Sequence, residues 1–262
     1  MKCDVFQIDA FATHVFAGNP ALICCLDDWP EDALLQAIAA EHGGGAVIAF
    51  LVDRGSHFEI RYFMSIGELG LVGHASLAAA HVVLRILKPG LGAAVLQRRS
   101  GTLKVASLGD DLLAITLPAL PAGRCEAPPA LAAALGVPLR EVRVNRNQYF
   151  AILDSEETVT GLAPDMAELM KLDRDGVIVT APGKASEFVS RAFAPKEGLP
   201  EDPVCGSAHL ALVPYWSERL KRNEHVALQL SPRGGELHCA LQGDEVRLAG
   251  RCALYMQGTI HI

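Results

Sequence analysis

The sequence predicts an α+β fold of two similar lobes, because three segments of its first half recur in its second half in the same order. These are an aromatic strand ending in a turn, an apolar helix and a β-hairpin. Two copies of roughly 130 residues imply lobes related by a pseudo-two-fold axis, with the site for a small ligand expected in a cleft between them.

The strands are Phe58-Glu-Ile-Arg-Tyr-Phe63 and Phe188-Val-Ser-Arg-Ala-Phe193, with Arg61 and Arg191 in register. The helices are Gly73 to Leu84 and Gly206 to Trp216. Ala and Leu dominate both, and their apolar residues run nearly all round, as in a helix buried inside a sheet or barrel. The hairpins begin at Arg99-Ser-Gly-Thr-Leu-Lys-Val and Arg233-Gly-Gly-Glu-Leu-His-Cys, and each turns at a Gly-Asp pair. Alternation of Leu103 and Val105, and of Leu237 and Cys239, with polar neighbours marks them as strands. The proline-rich stretch from Pro118 to Pro129 is the expected connection. The lobes are therefore placed at 1–118, which the last strand 254–262 can complete, and at 119–253.

Composition narrows the function. Of 262 residues, 50% are apolar and 20% charged, which excludes a disordered chain. A net charge of −7 without a long Lys/Arg run excludes a nucleic-acid binder. The start has no basic segment followed by an apolar run, and the apolar stretch Leu69 to Leu87 is broken by His74, His81 and Arg85. No membrane span is expected, and a cytoplasmic location is. Seven cysteines without a CxxC pair fit neither a zinc cage nor a disulfide framework, and the nine histidines show no ligand spacing. No metal or other cofactor is expected. Gly43-Gly44-Gly45 lacks the spacing of a dinucleotide fingerprint and reads as a helix cap and turn between the helix Glu31 to Glu41 and the strand Ala46 to Val52.

The residues with chemical capability gather ahead of the two apolar helices. Glu201-Asp-Pro-Val-Cys-Gly-Ser-Ala-His209 holds Asp202, Cys205, Ser207 and His209; Glu68-Leu-Gly-Leu-Val-Gly-His74 aligns with it, placing Val72 opposite Cys205 and His74 opposite Ser207. An Asp, a Pro and a Ser before a helix also serve as a plain N-terminal cap. The functional reading is that unpaired N–H groups at Gly73, Ala75, Gly206, Ser207 and Ala208 cradle a carboxylate while acid/base groups stand beside it. Arg146 and Gln148, in Asn145-Arg-Asn-Gln-Tyr-Phe150, are further candidates to meet a carboxylate, although an exposed turn explains them as well.

Four ordered segments, Phe16-Ala-Gly-Asn-Pro-Ala21, Glu68 to Leu77, Glu201 to His209 and Arg233 to Leu237, resemble the signature segments of the PhzF family, the phenazine-biosynthesis isomerases and their relatives. The resemblance implies the fold of diaminopimelate epimerase and proline racemase, two lobes each with a barrel-like sheet around a central helix. It also implies isomerisation of a small carboxylic acid by proton transfer and a homodimer. Asp202, Ser207 and His74 match the family's assisting positions. The family's proton-transferring glutamate does not carry over, because Ala46 stands there, or Val47 if the register slips by one. Cys205 occupies the place where related epimerases put a catalytic cysteine, and a thiol at a helix N-terminus is expected to have a lowered pKa. Three readings stay open. They are an isomerase with relocated acid/base groups, a lyase, dehydratase or tautomerase using Cys205, Asp202 or His74, and a non-catalytic carboxylate-binding protein.

Overall fold

The computed structural model describes residues 2–42 and 46–262. The proposed cap at Gly43-Gly44-Gly45 lies outside the described residues. The chain divides into two compact units, Met1–Thr116 with Ala249–Ile262, and Leu117–Leu248.

In the first unit, β1 (Lys2–Ala10) is antiparallel to β2 (Asn19–Leu26), and α1 (Asp32–His42) leads to β3 (Val47–Asp53), parallel to β2. β4 (Phe58–Met64) pairs antiparallel with β3 and with the short β5 (Gly67–Leu69). The helix α2 (Gly73–His81) continues as a π-helical stretch, Val82–Leu87. β6 (Ala93–Arg98) then runs parallel to β4 and antiparallel to β7 (Gly101–Gly109), which turns into β8 (Leu112–Pro118). The C-terminal strand Cys252–His261 returns to lie antiparallel on β1.

A helix that is apolar all round must be covered all round. The sheet does this by curling: α2 touches β1, β2, β3, β6, β7 and the C-terminal strand. Residues Ala75 to Ala80 are fully buried, and the three successive alanines Ala78, Ala79 and Ala80 let the strands approach closely. On the outer face of the same sheet, α1 seats Leu35, Ile38 and Ala39 against Leu22, Cys24, Ile48, Phe50 and Phe63.

The second unit repeats the plan. β9 (Gly123–Cys125) and α3 (Pro129–Leu135) precede β10 (Glu141–Val144) and β11 (Gln148–Ile152). The outer helices α4 (Glu156–Thr160) and α5 (Met166–Leu169) lead to β12 (Gly176–Pro182), β13 (Phe188–Ala194) and the short β14 (Leu199–Asp202). The buried helix α6 (Gly206–Leu220) is followed by β15 (Glu224–Gln229), β16 (Gly235–Gln242) and β17 (Glu245–Gly250). β11 and β12 are parallel as β2 and β3 are, and β13 and β15 are parallel as β4 and β6 are. β9 lies antiparallel on β10 as the C-terminal strand lies on β1.

The proline-rich stretch is tied into the second unit. Ala119 N–H donates to the Asp244 carbonyl at 2.8 Å and Leu120 N–H to the Leu210 carbonyl at 2.9 Å. The latter bond answers a specific need, since Pro214 within α6 has no N–H to offer the carbonyl four residues back. All seven cysteines are free thiols, with Cys3, Cys24, Cys205 and Cys239 buried.

Both strand–turn–helix crossings are held by the same ion pair. Arg61 on β4 grips Glu68 on β5 with two bonds of 2.8 Å; Arg191 on β13 grips Glu201 on β14 with bonds of 2.7 and 2.9 Å. Each guanidinium also lies 5.1 Å from a phenylalanine ring, Phe63 or Phe193. Arg191 is 11% exposed and donates further to the carbonyls of Val159 and Leu162. Removing one partner of a buried pair strands the other charge, so Arg191→Leu should cost about 3–5 kcal/mol in urea unfolding. Arg124→Ala, which breaks a pair from a side chain 72% exposed, should cost under about 1 kcal/mol. Equal losses would contradict the assignment.

Candidate active site

β14 ends at Asp202, opposite Ala192 of β13. Pro203 follows and stops the strand, while the Asp202 carboxylate accepts Val204 N–H at 3.2 Å, closing a tight turn. The turn is tied to the end of β15 and the residues after it. Gln229 Oε1 accepts Cys205 N–H at 2.9 Å, Gln229 Nε2 donates to the Asp202 carbonyl at 2.6 Å, and the Ser231 hydroxyl donates to the Pro203 carbonyl at 2.8 Å. Cys205 is then the N-cap of α6 in extended conformation and makes no side-chain capping bond. The N–H groups of Gly206 and Ser207 come too early in the helix to have an intrahelical acceptor.

Asp202, Cys205 and Ser207 line a cavity of about 560 Å³ within the second unit. The β10–β11 turn, with Arg146 and Gln148, forms another part of its wall. That turn is shaped by Asn145, whose side-chain oxygen accepts the N–H groups of Asn147 and Gln148 at 3.0 and 2.9 Å. Asp175 and Glu197, which sequence reasoning missed, also face the cavity. Nothing in their sequence spacing signals it, because they come from separate loops. Ala208 is fully buried, as is Ala75 in the first unit, so their side chains serve the core.

Gly206 and Gly73 each begin a helix, yet neither needs to be glycine for the fold. Both have ordinary negative φ, and a Cβ would meet only Leu248 at 3.9 Å or Ile115 at 3.7 Å, normal contact distances.

Cys205 requires a correction. The helix N-terminus was expected to lower its pKa, but burial pushes the thiol up to about 12, and the Asp202 carboxylate adds to the rise. The Ser207 hydroxyl, 3.3 Å from the sulfur, and the Ala208 N–H favour the thiolate without prevailing. Cys205 is a neutral thiol at pH 7.

In the first unit, Val72 occupies the N-cap position and His74 follows Gly73 in the first turn of α2. The Ser76 hydroxyl and N–H both donate to the Val72 carbonyl, at 2.8 and 2.9 Å, and Tyr62 bonds Ser76 at 2.6 Å. Burial lowers the His74 imidazole to about 4, and its Nε2 has no hydrogen-bond partner among the described residues. The strand pairing Tyr62 with Leu69 matches that of Ala192 with Asp202, so Leu69 stands in the first repeat where the carboxylate stands in the second. Ala46 lies immediately before β3, partly buried. Among the described residues no group of three or more His, Cys, Asp and Glu could hold a metal ion, and no helix is long and apolar enough to cross a membrane.

A curled sheet around a buried helix, built twice in one chain, is a fold shared with PhzF-family and epimerase structures. Within that fold the chain belongs to the PhzC–PhzF family of phenazine biosynthesis-like proteins, whose model matches residues 8–258. It is 42% identical to an uncharacterized isomerase of Pseudomonas aeruginosa across the whole of both chains. A PhzF-family crystal structure from Enterococcus faecalis matches it with a TM-score of 0.96 at 38% identity, again over both full chains. A hydroxyproline epimerase from Agrobacterium vitis matches at TM-score 0.64 and 10% identity, covering 99% of this chain and 92% of the other, a likeness of fold alone. The family and fold that the four sequence segments resemble are those of this protein.

His209 lies one turn into α6, fully buried against Phe188, and its Nδ1–H donates to the Cys205 carbonyl at 2.8 Å. Burial lowers its pKa to about 4, so the folded protein keeps it neutral where the unfolded chain would take up a proton. This stability is present above about pH 6.5 and is lost as pH falls toward 4, a change of about 3 kcal/mol. The stability difference between wild type and His209→Leu should shrink by about that amount between pH 7 and pH 4 in urea titrations. A pH-independent difference would show that the ring is not held neutral.

Proposed function

We propose that the protein is a cofactor-independent isomerase or epimerase that moves a proton on a small carboxylic acid, with Asp202 as its principal acid/base group. The observation that carries this reading is that Asp202 and Ser207 line one cavity, with Gly206 between them in sequence at the start of α6. In this reading the substrate carboxylate docks on the Gly206 and Ser207 N–H groups, where the helix dipole favours negative charge. Asp202 takes a proton from one carbon, and the proton returns at another carbon or on the other face, so the substrate isomerises without net gain or loss. The Ser207 hydroxyl hydrogen-bonds the substrate. His74, neutral at pH 7, is the second acid/base candidate, at the equivalent helix terminus of the first repeat.

Two features shape this reading. The resemblance to the family places Ala46 where its glutamate stands, so the role assigned to Asp202 is larger than an assisting one. Cys205 is neutral and buried, which counts against the lyase, dehydratase or tautomerase reading in so far as it depends on a thiolate. Ala46 is also the one observation that favours a second reading, a non-catalytic carboxylate binder. A homodimer is part of the proposal, with exposed Leu254, Tyr255 and Met256 of the C-terminal strand as an apolar face for the second copy.

Proton NMR in D₂O separates the readings, using dihydro-3-hydroxyanthranilate and a panel of amino and hydroxy acids. Wild type should exchange a carbon-bound proton of at least one compound, and Asp202→Asn should slow that exchange by about 10²-fold or more. Exchange by Ala46→Glu alone would favour the binder.

A further inference from the structure

We infer that Gln229 is a positioning residue for the acid/base site, holding the Asp202–Cys205 turn in its working geometry through its side-chain amide. Gln229 is fully buried at the end of β15, in register with Ser190 of β13 on one side and Gly235 of β16 on the other. A strand at this depth calls for an apolar side chain, and an amide without partners would be costly. Here both ends of the amide are used on one short turn. Oε1 accepts Cys205 N–H, and Nε2 donates to the Asp202 carbonyl. These are the first and last residues of the segment that carries the carboxylate into the helix. Their separation is thereby set by a rigid planar group.

The comparison between repeats strengthens the inference. Phe58 pairs with Leu96 as Phe188 pairs with Ala227, so the residue two further along, Arg98, holds the place of Gln229. Arg98 donates to its neighbour Ser100, and its Nε has no hydrogen-bond partner among the described residues. No hydrogen bond from Arg98 to the turn after Leu69 occurs among the described residues. Of the two repeats, the clamp accompanies the one that carries a carboxylate. If the amide only filled space in the core, nothing would couple it to Asp202.

Gln229→Glu is the informative variant. Its carboxyl keeps an acceptor for Cys205 N–H, but the second oxygen faces the Asp202 carbonyl and can donate to it only when protonated. Burial and the nearby Asp202 carboxylate raise the pKa of such a group, so the clamp should be whole at pH 5 and broken at pH 8. The inference rests on the proposed proton transfer for its catalytic consequence. A second readout, the alkylation rate of Cys205 followed by peptide mass spectrometry, does not.

Relative to wild type at the same pH, the kcat of Gln229→Glu for deuterium exchange should fall about tenfold at pH 8 with KM within about twofold, and should recover at pH 5. Gln229→Leu, which lacks both bonds and adds no charge beside the thiol, should exchange more slowly at both pH values and should alkylate at Cys205 about tenfold faster at pH 8. If the Gln229→Glu kcat ratio does not change with pH, or if Gln229→Leu behaves as wild type, the inference is overturned. Wild-type protein that fails to exchange any compound would overturn the proposed function instead, and the alkylation rate of Gln229→Leu would still decide the clamp.

Discussion

The buried arginine–glutamate pair is the constraint on which the rest of each unit depends. A guanidinium taken out of water must have its donors met, and a two-pronged carboxylate in a fixed plane is the partner that does so. Arg61 and Arg191 sit mid-strand, so Glu68 and Glu201 must run antiparallel beside them. That short pairing directs the chain out of the sheet and into the buried helix within four residues. The helix, apolar on every side, then obliges the sheet to curl. The location of the candidate site follows from these two requirements, because the turn between pair and helix is where backbone N–H groups are left without intrahelical acceptors.

The two copies keep this scaffold and differ in what it displays. Where the second carries Asp202, Cys205 and Ser207, the first carries Leu69, Val72 and His74. The supporting residues differ in step, with Gln229 beneath the carboxylate-bearing turn and Arg98 at the matching place in the other. In the first copy Tyr62 and Ser76 tie down the helix terminus instead. The arrangement is one framework with an acidic display and a histidine display, each braced by its own polar residues.

Much of this was legible in the residues alone. The Gly-Asp hairpins, the aromatic strands with their arginines and the all-round apolar helices are local patterns, and their repetition reports the fold twice over. Ser207 and His74 were legible because each follows a glycine at a helix start, and Asp202 because it precedes a proline in the turn that leads to one. Gln229 was not, since a glutamine at a strand end reads as surface, and only the folded register buries it under the turn. The titration of Cys205 was misjudged for a related reason: proximity to a helix terminus is visible in sequence, whereas depth of burial is not. The bond from Leu120 to the carbonyl freed by Pro214 joins segments distant in sequence and could not be read from either.

Whether the start of α6 is a carboxylate site is tested most directly by calorimetric titration of dihydro-3-hydroxyanthranilate and small amino and hydroxy acids into wild type and Gly206→Ala. A methyl at Gly206 fits the protein but covers the backbone that a carboxylate must reach. The account predicts measurable heat with at least one compound for wild type, and affinity lower by about tenfold or more in Gly206→Ala at unchanged thermal stability. Equal affinity in the two proteins, or no binding by wild type, would contradict it.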